Sequence, residues 1–112
     1  MSDCIFCKIA TQEIPSTVVL ENEYFFAIHD ISPLYKIHLL IISKTHIPTV
    51  SNISDNQMPH FYAAFELAKQ LAEKLDVIDS GYRLTVNNGA DAGQEVPHFH
   101  MHFLAGEPLR KL

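Results

Sequence analysis

Basic residues are scarce in this sequence: eight lysines and arginines stand against 13 aspartates and glutamates, for a net charge of -5 at pH 7. Proteins that bind nucleic acid generally carry a basic stripe that neutralises the phosphate backbone. This sequence contains no such stripe, and we therefore expect no nucleic-acid partner. A small anionic ligand is compatible with the charge, provided that local backbone N–H groups and histidines bind it.

Long hydrophobic runs are also missing. The longest one, Leu39-Leu40-Ile41-Ile42, is far shorter than the run of about 20 apolar residues that a membrane-spanning helix needs. The first residues have no basic segment that leads into an apolar run, so they do not resemble a signal peptide. We therefore expect a cytoplasmic protein with no membrane partner.

Cysteine is rare, since Cys4 and Cys7 are the only two. In a reducing compartment a Cys-x-x-Cys pair indicates a metal site or a redox pair rather than a structural disulfide. The metal site is favoured because the βαβ context of thioredoxin-like redox motifs is missing. A tetrahedral zinc site needs four N or S ligands, so two histidines would have to complete it. His46 and one histidine of the C-terminal region are candidates.

The length of 112 residues, with 47% apolar and 19% charged residues, predicts one globular domain over residues 1–112. Residues 4–14 are typical of a short helix or turn, which Pro15 ends. Ser54 and Gln57 have the spacing of a capping box and predict the start of a long helix. Apolar residues from Met58 to Leu75 repeat there at steps of three and four.

Five segments are rich in β-branched, aromatic or alternating apolar residues and predict strands, at residues 17–21, 24–29, 38–43, 81–86 and 97–104. Strands and helices do not alternate in a regular βαβ order. The sequence therefore predicts an α+β fold with an antiparallel sheet of about five strands, one long helix and a short N-terminal helix.

The last of these segments, residues 97–104, places three of the seven histidines at every second position. In a strand, His98, His100 and His102 would share one face, and the apolar residues between them would share the other. Histidine titrates near neutral pH, binds metals and acts as a nucleophile. The residues alone leave three uses open: a three-histidine metal site, a nucleophile positioned by two histidines, or one metal ligand beside two catalytic residues.

This segment resembles the His-φ-His-φ-His-φ-φ signature of the histidine triad (HIT) superfamily of nucleotide hydrolases and transferases, where φ is an apolar residue. The resemblance covers nearly the full length, and its branch is the one that hydrolyses purine nucleoside phosphoramidates. It extends to Ile5-Phe6, Ile9, residues 13–15, 29–33 and 38–46, Asn87 and Gly93-Gln94. It implies a HIT-like fold and a homodimer that pairs through the long helix and a strand.

The resemblance also implies a covalent mechanism. His100 would attack the α-phosphorus of a purine nucleoside 5′-phosphoramidate, expel the amine and form a nucleotidyl-histidine that water hydrolyses to AMP or GMP. The His98 carbonyl would hold the other ring N–H of His100, and His38 would support the three histidines. The phosphoryl oxygens would be bound by His102, by the side chains of Asn87 and Gln94, and by main-chain N–H groups of the loop residues Gly93, Gln94, Glu95 and Val96.

For the nucleoside, the resemblance implies a purine pocket formed by Ile5, Phe6, Ile9, Ile28, Ile31 and Leu40, although each of these could equally be an ordinary core residue. Asp30 would bind the ribose hydroxyls. His29 is either a pocket wall or a surface residue. The implied zinc ligands are Cys4, Cys7, His46 and His98.

Glu95 stands where the resemblance leads us to expect a serine that donates to the phosphate or the departing amine. An ionised carboxylate cannot donate a hydrogen bond, and it repels a phosphate. Two alternatives to an efficient phosphoramidase therefore stay open. One is a nucleotide-binding or scaffolding protein with weak turnover, and the other is a metalloenzyme with a three-histidine site, which the cysteines argue against.

Overall fold

The computed structural model describes residues 3–112. Two α-helices, α1 (Ile5–Ala10) and α2 (Tyr62–Lys74), accompany five strands: β1 (Leu20–Glu21), β2 (Phe25–His29), β3 (Ile37–Ser43), β4 (Tyr82–Thr85) and β5 (His100–Ala105). Short 3-10 helices cover Val50–Asn52, Met58–Phe61 and Ala90–Ala92. The strands form one antiparallel sheet in the order β1-β2-β3-β5-β4. The prediction of an α+β fold is confirmed.

The histidine strand starts later than predicted, at His100 instead of Pro97. Pro97 has no N–H to give to a sheet ladder. The N–H of His98 donates to the Val96 carbonyl, and the N–H of Phe99 donates to the Ile47 carbonyl. His98 consequently precedes the strand in a turn, while His100 and His102 lie within it.

The long helix also begins later than predicted. The capping box does form, because Ser54 N–H donates to Gln57 Oε1 and Gln57 N–H donates to Ser54 Oγ. It opens a turn and the 3-10 segment Met58–Phe61, and the α-helix begins only at Tyr62. Pro59 explains the delay, since it has no N–H with which to complete an α-helical turn.

One face of the sheet packs against α2 and forms the larger core. The helix contributes Leu67, Ala68, Leu71 and Ala72, the sheet contributes Phe25, Leu39, Ile41, Met101 and Phe103, and Phe99 joins them from just before β5. The apolar residues between the histidines therefore lie on the core side, as the alternation predicts. Within the described residues, no helix is long and apolar enough to cross a membrane.

The opposite face carries α1 and a smaller apolar cluster of Phe6, Phe26, Ile28, Leu40 and Ile42. Strand β3 lies beside β5 with Leu40 opposite His102 and Ile42 opposite His100. Residues that face each other across two strands point to the same side of a sheet. The histidines of β5 therefore share a face with alternate residues of β3, which include His38.

Candidate active site

The site lies on the α1 side of the sheet, where β3 and β5 are neighbours. His100 and His102 project from β5 with their ring centroids 5.1 Å apart. His38 from β3 reaches His102, with 2.9 Å between His38 Nε2 and His102 Nδ1. The structure thus brings together three of the four histidines that are predicted to be catalytic. The fourth, His98, contributes its main-chain carbonyl, which contacts the ring of His100.

His100 is buried and its ring is fixed by one hydrogen bond. Its Nδ1 lies 2.8 Å from the main-chain oxygen of His98. Because a carbonyl oxygen can only accept, Nδ1 carries the proton, and Nε2 of a neutral His100 keeps a free lone pair. The ring of Phe6 packs edge-on against the imidazole, with centroids 5.1 Å apart. This arrangement leaves Nε2 as a nitrogen nucleophile of defined orientation.

The tautomers of His38 and His102 follow from one backbone group. The Leu34 N–H donates to His38 Nδ1 at 3.1 Å, so a neutral His38 carries its proton on Nε2. That N–H donates to His102 Nδ1, and a neutral His102 therefore carries its proton on Nε2. We assign these protons from the hydrogen-bond network. His102 is then a hydrogen-bond donor on the face that His100 also occupies.

Burial keeps these imidazoles neutral. Desolvation, followed by the nearby rings of His100 and His38, lowers the pKa of His102 from 6.5 to about 4. Desolvation also lowers the pKa of His38, although the negative charge of Asp30 opposes this shift. At neutral pH both rings are uncharged, which the proton arrangement above requires.

Asp30 lies at the edge of the site, in the turn after β2. Its Oδ1 accepts the Ser32 N–H at 2.7 Å, and its Oδ2 lies 3.4 Å from His38 Nε2. The Asp30 N–H donates to the main-chain oxygen of His38 at 2.9 Å. One oxygen of the carboxylate is therefore hydrogen-bonded to the main chain, and the other lies beside His38.

The loop before β5 is organised by Gln94. Its Nε2 donates to the carbonyls of Pro48 at 2.7 Å and Val96 at 3.0 Å, and its Oε1 accepts the Gly89 N–H at 2.8 Å. Both donors of the side-chain amide are thus engaged within the protein. Gly93 has φ +85, a left-handed conformation that favours glycine. Gln94 consequently supports the loop rather than facing the histidines.

The predicted purine pocket is only partly assembled. Phe6, Ile28 and Leu40 belong to the smaller apolar cluster, and Ile9 packs against it half-buried. Ile5 is 46% exposed and Ile31 is 97% exposed, and His29 is also exposed. The cluster therefore offers an apolar floor, while Ile5, Ile31 and His29 are exposed to solvent.

Three further residues of the prediction lie in or beside the loop. Asn87 and Val96 are half-buried, and Glu95 is exposed. Val96 packs against the smaller apolar cluster. Glu95 therefore faces solvent, while the next residue, Val96, points toward the interior.

A second group of side chains, which we call the Cys/His cluster, consists of Cys4, Cys7, His46 and His98, whose ligand atoms all lie within 4.8 Å of one another. His98 Nδ1 lies 3.2 Å from Cys4 Sγ and 3.2 Å from His46 Nδ1. Cys7 Sγ lies 3.2 Å from His46 Nδ1 and 3.6 Å from His98 Nδ1. The structure thus brings together all four residues that are predicted to bind metal.

The geometry of the Cys/His cluster fits a tetrahedral zinc ion. With typical Zn–N and Zn–S bonds, tetrahedral ligand atoms lie about 3.3–3.8 Å apart, close to the separations above. His98 Nε2 lies 2.7 Å from the Ser43 carbonyl and must donate to it, so the lone pair of Nδ1 points to the other three ligands. Burial and the neighbouring Cys4 raise the pKa of the Cys7 thiol, and a bound cation would favour the thiolate instead.

Two partners in the site have no signal in the sequence. The Leu34 N–H fixes the tautomer of His38, and the Ser43 carbonyl fixes that of His98. Both groups belong to the main chain, which is the same for every residue type except proline. Only the fold places them.

Comparison with known proteins identifies related chains over nearly the whole length. The family described as HIT domain matches residues 11–109. A purine nucleoside phosphoramidase from Escherichia coli K12 is 40% identical over 107 residues, which cover 96% of this chain and 90% of that protein.

Solved structures give the same result. A histidine triad protein from Clostridium difficile superimposes with a TM-score of 0.95 at 38% identity, covering 100% of this chain and 97% of that one. A HIT family hydrolase from Legionella pneumophila superimposes with a TM-score of 0.91 at 42% identity, and 96% of each chain is covered.

The lowered histidine pKa values predict that stability falls as the pH drops from 7 to 4. The unfolded chain binds a proton near pH 6.5, whereas folded His102 does so only near pH 4, so between these values protonation favours unfolding. Urea midpoints measured with EDTA at pH 7 and pH 5 should differ less for His102→Asn than for the wild type. The matched control is His29→Asn, which removes an exposed histidine and should keep the wild-type difference. An unchanged difference in His102→Asn would contradict this account.

Proposed function

Because the chain belongs to the HIT domain family, we propose that it is a hydrolase of purine nucleoside 5′-phosphoramidates that uses His100 as its nucleophile. The observation that carries this proposal is the hydrogen bond from His100 Nδ1 to the His98 carbonyl, since it leaves Nε2 free to attack. The substrate class is supported by the name of the Escherichia coli relative.

In the first step, His100 Nε2 attacks the α-phosphorus and the P–N bond to the amine breaks. The amine leaves with the electron pair of that bond and takes a proton from water, which the second step returns when the attacking water loses one. The nucleotidyl-histidine carries a positive charge on its ring, which the Nδ1–H bond to the His98 carbonyl stabilises. In the second step, water attacks the same phosphorus, the bond to His100 breaks, and AMP or GMP is released.

Negative charge on the phosphoryl oxygens requires fixed donors. We assign this role to the Nε2–H of His102, the side-chain amide of Asn87 and the N–H groups of Glu95 and Val96. Within the described residues these three loop donors have no hydrogen-bond partner, whereas the N–H groups of Gly93 and Gln94 donate to Ala90 and Gly89. We accordingly propose Gly93 and Gln94 as supports of the loop.

The nucleoside would lie over the smaller apolar cluster. Phe6, Ile9, Ile28 and Leu40 would contact the purine from below, and the exposed Ile5, Ile31 and His29 would border it. Binding a base there would remove apolar surface of Ile5 and Ile31 from water. Asp30 would accept hydrogen bonds from the two ribose hydroxyls, since one carboxylate can hold both.

Glu95 favours a cationic leaving group. Its exposed carboxylate lies next to the N–H groups proposed to bind phosphate, and a carboxylate attracts an ammonium group while it repels a phosphate. A leaving amine of the lysine type, with a second positive charge, would suit this position. The same repulsion is the reason to retain a nucleotide-binding protein with weak turnover as the alternative function.

Replacing His100 tests the nucleophile. With adenosine 5′-phosphoramidate as substrate, His100→Ala should lower kcat by roughly a thousandfold or more and leave AMP affinity nearly unchanged, because the attack exists only in the transition state. AMP release and AMP binding are measured for both proteins. His60→Ala is the matched control, since His60 stacks on Tyr24 away from the site.

Equal release from the wild type and His100→Ala would contradict the nucleophile assignment. No release from the wild type, combined with tight AMP binding, would favour the nucleotide-binding alternative.

We further propose that the Cys/His cluster binds one structural zinc ion. Four protein ligands fill a tetrahedral site and leave no open position for catalysis. The ion would tie α1 to the turn that precedes β5 and so hold His98 in place. The same proposal puts the protein in the cytoplasm, where Cys4 and Cys7 stay reduced.

Elemental analysis tests the zinc site. Protein purified without chelator should contain about one zinc per chain, and Cys7→Ser should contain much less and unfold at a lower temperature. His60→Asn is a histidine control outside the cluster and should retain the metal. Wild-type protein without bound metal would contradict the proposal.

We also propose a homodimer that pairs through α2 and the edge strand β4. Tyr62 and Phe65 on α2 are 72% and 55% exposed, and large apolar side chains that lie near each other on a surface are typical of interaction sites. Among residues 3–112, β4 pairs with β5 on one side only, so its other edge is available to a partner strand.

Substitution on α2 tests the dimer. Phe65→Glu should convert a dimer into a monomer, because two charged side chains would be buried near the two-fold axis. Light scattering coupled to gel filtration gives the mass of each protein. Ile78→Glu makes the same change at another exposed apolar residue and should leave the mass unaltered. A wild-type monomer at micromolar concentration would contradict the proposal.

A further inference from the structure

Three hydrogen bonds close the segment between β2 and β3 around Asp30 and His38. The Asp30 N–H donates to the His38 carbonyl at 2.9 Å. The Leu34 N–H donates to His38 Nδ1 at 3.1 Å, and the Ser32 N–H donates to Asp30 Oδ1 at 2.7 Å. Both side chains are therefore fixed by the main chain, and each has one polar atom that makes no hydrogen bond to it. These atoms are His38 Nε2 and Asp30 Oδ2, and they lie 3.4 Å apart.

The single N–H of His38 is hydrogen-bonded to His102, and the Asp30 carboxylate lies near the same nitrogen. His102 Nδ1 lies 2.9 Å from His38 Nε2, which is a good hydrogen-bond distance. Asp30 Oδ2 is farther, at 3.4 Å, but it carries negative charge and is the stronger acceptor. Anything that changes the accepting strength of this carboxylate therefore changes the hydrogen bond that orients His102.

Of these two side chains, only Asp30 can be reached from outside. Its side chain is 19% exposed, whereas that of His38 is 2% exposed. A ligand in the site can thus contact the carboxylate without touching His38. Through His38, such a contact is transmitted to His102.

On the basis of the function proposed above, we propose that Asp30 is a positioning residue that acts through His38 and couples recognition of the ribose to the orientation of His102. When ribose hydroxyls donate to the carboxylate, Oδ2 has less capacity to accept from His38. The His38 N–H then donates to His102 Nδ1 alone, which holds the Nε2–H of His102 toward the phosphoryl group. A substrate without these hydroxyls leaves Oδ2 competing for the same proton, and His102 is held less firmly.

Asp30 would have two roles, to bind the ribose and to orient His102, and affinity measurements alone cannot distinguish them. A carboxylate that only binds the ribose stabilises the ground state and the transition state equally. Its loss raises KM without changing kcat. A carboxylate that also orients a donor to the phosphoryl oxygens changes the rate at saturating substrate. The rate at saturation is therefore the informative quantity.

The variant Asp30→Asn is nearly the same size and changes the contact between Asp30 Oδ2 and His38 Nε2 as well as the acceptor for the ribose hydroxyls. Its Oδ1 can still accept from Ser32, but an NH2 group replaces Oδ2 and faces the His38 N–H, so that two donors meet. His38 cannot relieve the conflict by moving its proton to Nδ1, because Leu34 donates there. The hydrogen bond from His38 to His102 is consequently disturbed whether or not a ribose is present.

The kinetic test is a cycle with two proteins and two substrates. Single-turnover rates at saturation are measured for the wild type and Asp30→Asn, with adenosine 5′-phosphoramidate and with its 2′,3′-dideoxy analogue. Removing the hydroxyls should slow the wild type about tenfold, and Asp30→Asn should be slow by a similar factor on both substrates. A wild-type rate at saturation that is unaffected by the hydroxyls would overturn the coupling. So would an Asp30→Asn rate on the dideoxy analogue as fast as that of the wild type on adenosine 5′-phosphoramidate.

A spectroscopic test needs no turnover and so separates this inference from the proposed function. Nitrogen-15 NMR of the imidazole rings in the ligand-free protein reports the tautomer of His102. The wild type should have the Nε2–H tautomer, and Asp30→Asn should have a mixture of tautomers. Identical His102 nitrogen shifts in the two proteins would overturn the inference even if the enzyme is active. Asp79→Asn, which removes an exposed carboxylate after α2, is the matched control and should give the wild-type spectrum.

Discussion

The hydrogen bond from His100 Nδ1 to the His98 carbonyl is the contact on which the site depends. It sets the tautomer of His100 and directs the free Nε2 outward. The residue that supplies this carbonyl is itself held at both ring nitrogens, by the Ser43 carbonyl on one side and by the Cys/His cluster on the other. One fully buried histidine therefore connects a cluster that could hold a metal ion with the nitrogen that we propose as nucleophile.

A second chain of contacts runs from the opposite side. The Leu34 N–H determines the tautomer of His38, and the His38 N–H determines that of His102. The Asp30 carboxylate lies beside His38 at the edge of the site. The first link is made by a group that cannot change, the main-chain N–H of Leu34, and it dictates the proton positions of both His38 and His102. Burial also fixes the protonation of His38 and His102, because it lowers their pKa values and keeps both rings neutral near pH 7. The arrangement is thus determined before any ligand arrives.

Much of the fold was predictable, but the exact start of elements was not. The number of strands and their positions along the chain follow from local composition. The late starts of β5 and α2 depend on Pro97 and Pro59 and on hydrogen bonds made outside the sheet. In the site, the four residues of the Cys/His cluster were predicted and do meet. The roles of Ile31, which faces solvent, and of Gln94, whose amide is engaged within the loop, could not be derived from their positions in the sequence.

The sequence by itself determined which face each residue of β5 takes, because side chains alternate along any extended strand. It placed His100 and His102 on one side and Met101 and Phe103 on the other without reference to the rest of the chain. Only the tertiary structure decided what those histidines touch. His38 lies 64 residues from His102 along the chain, and their contact depends on the register between β3 and β5. That register is fixed by packing and by main-chain hydrogen bonds over the whole sheet, which no short segment of sequence contains.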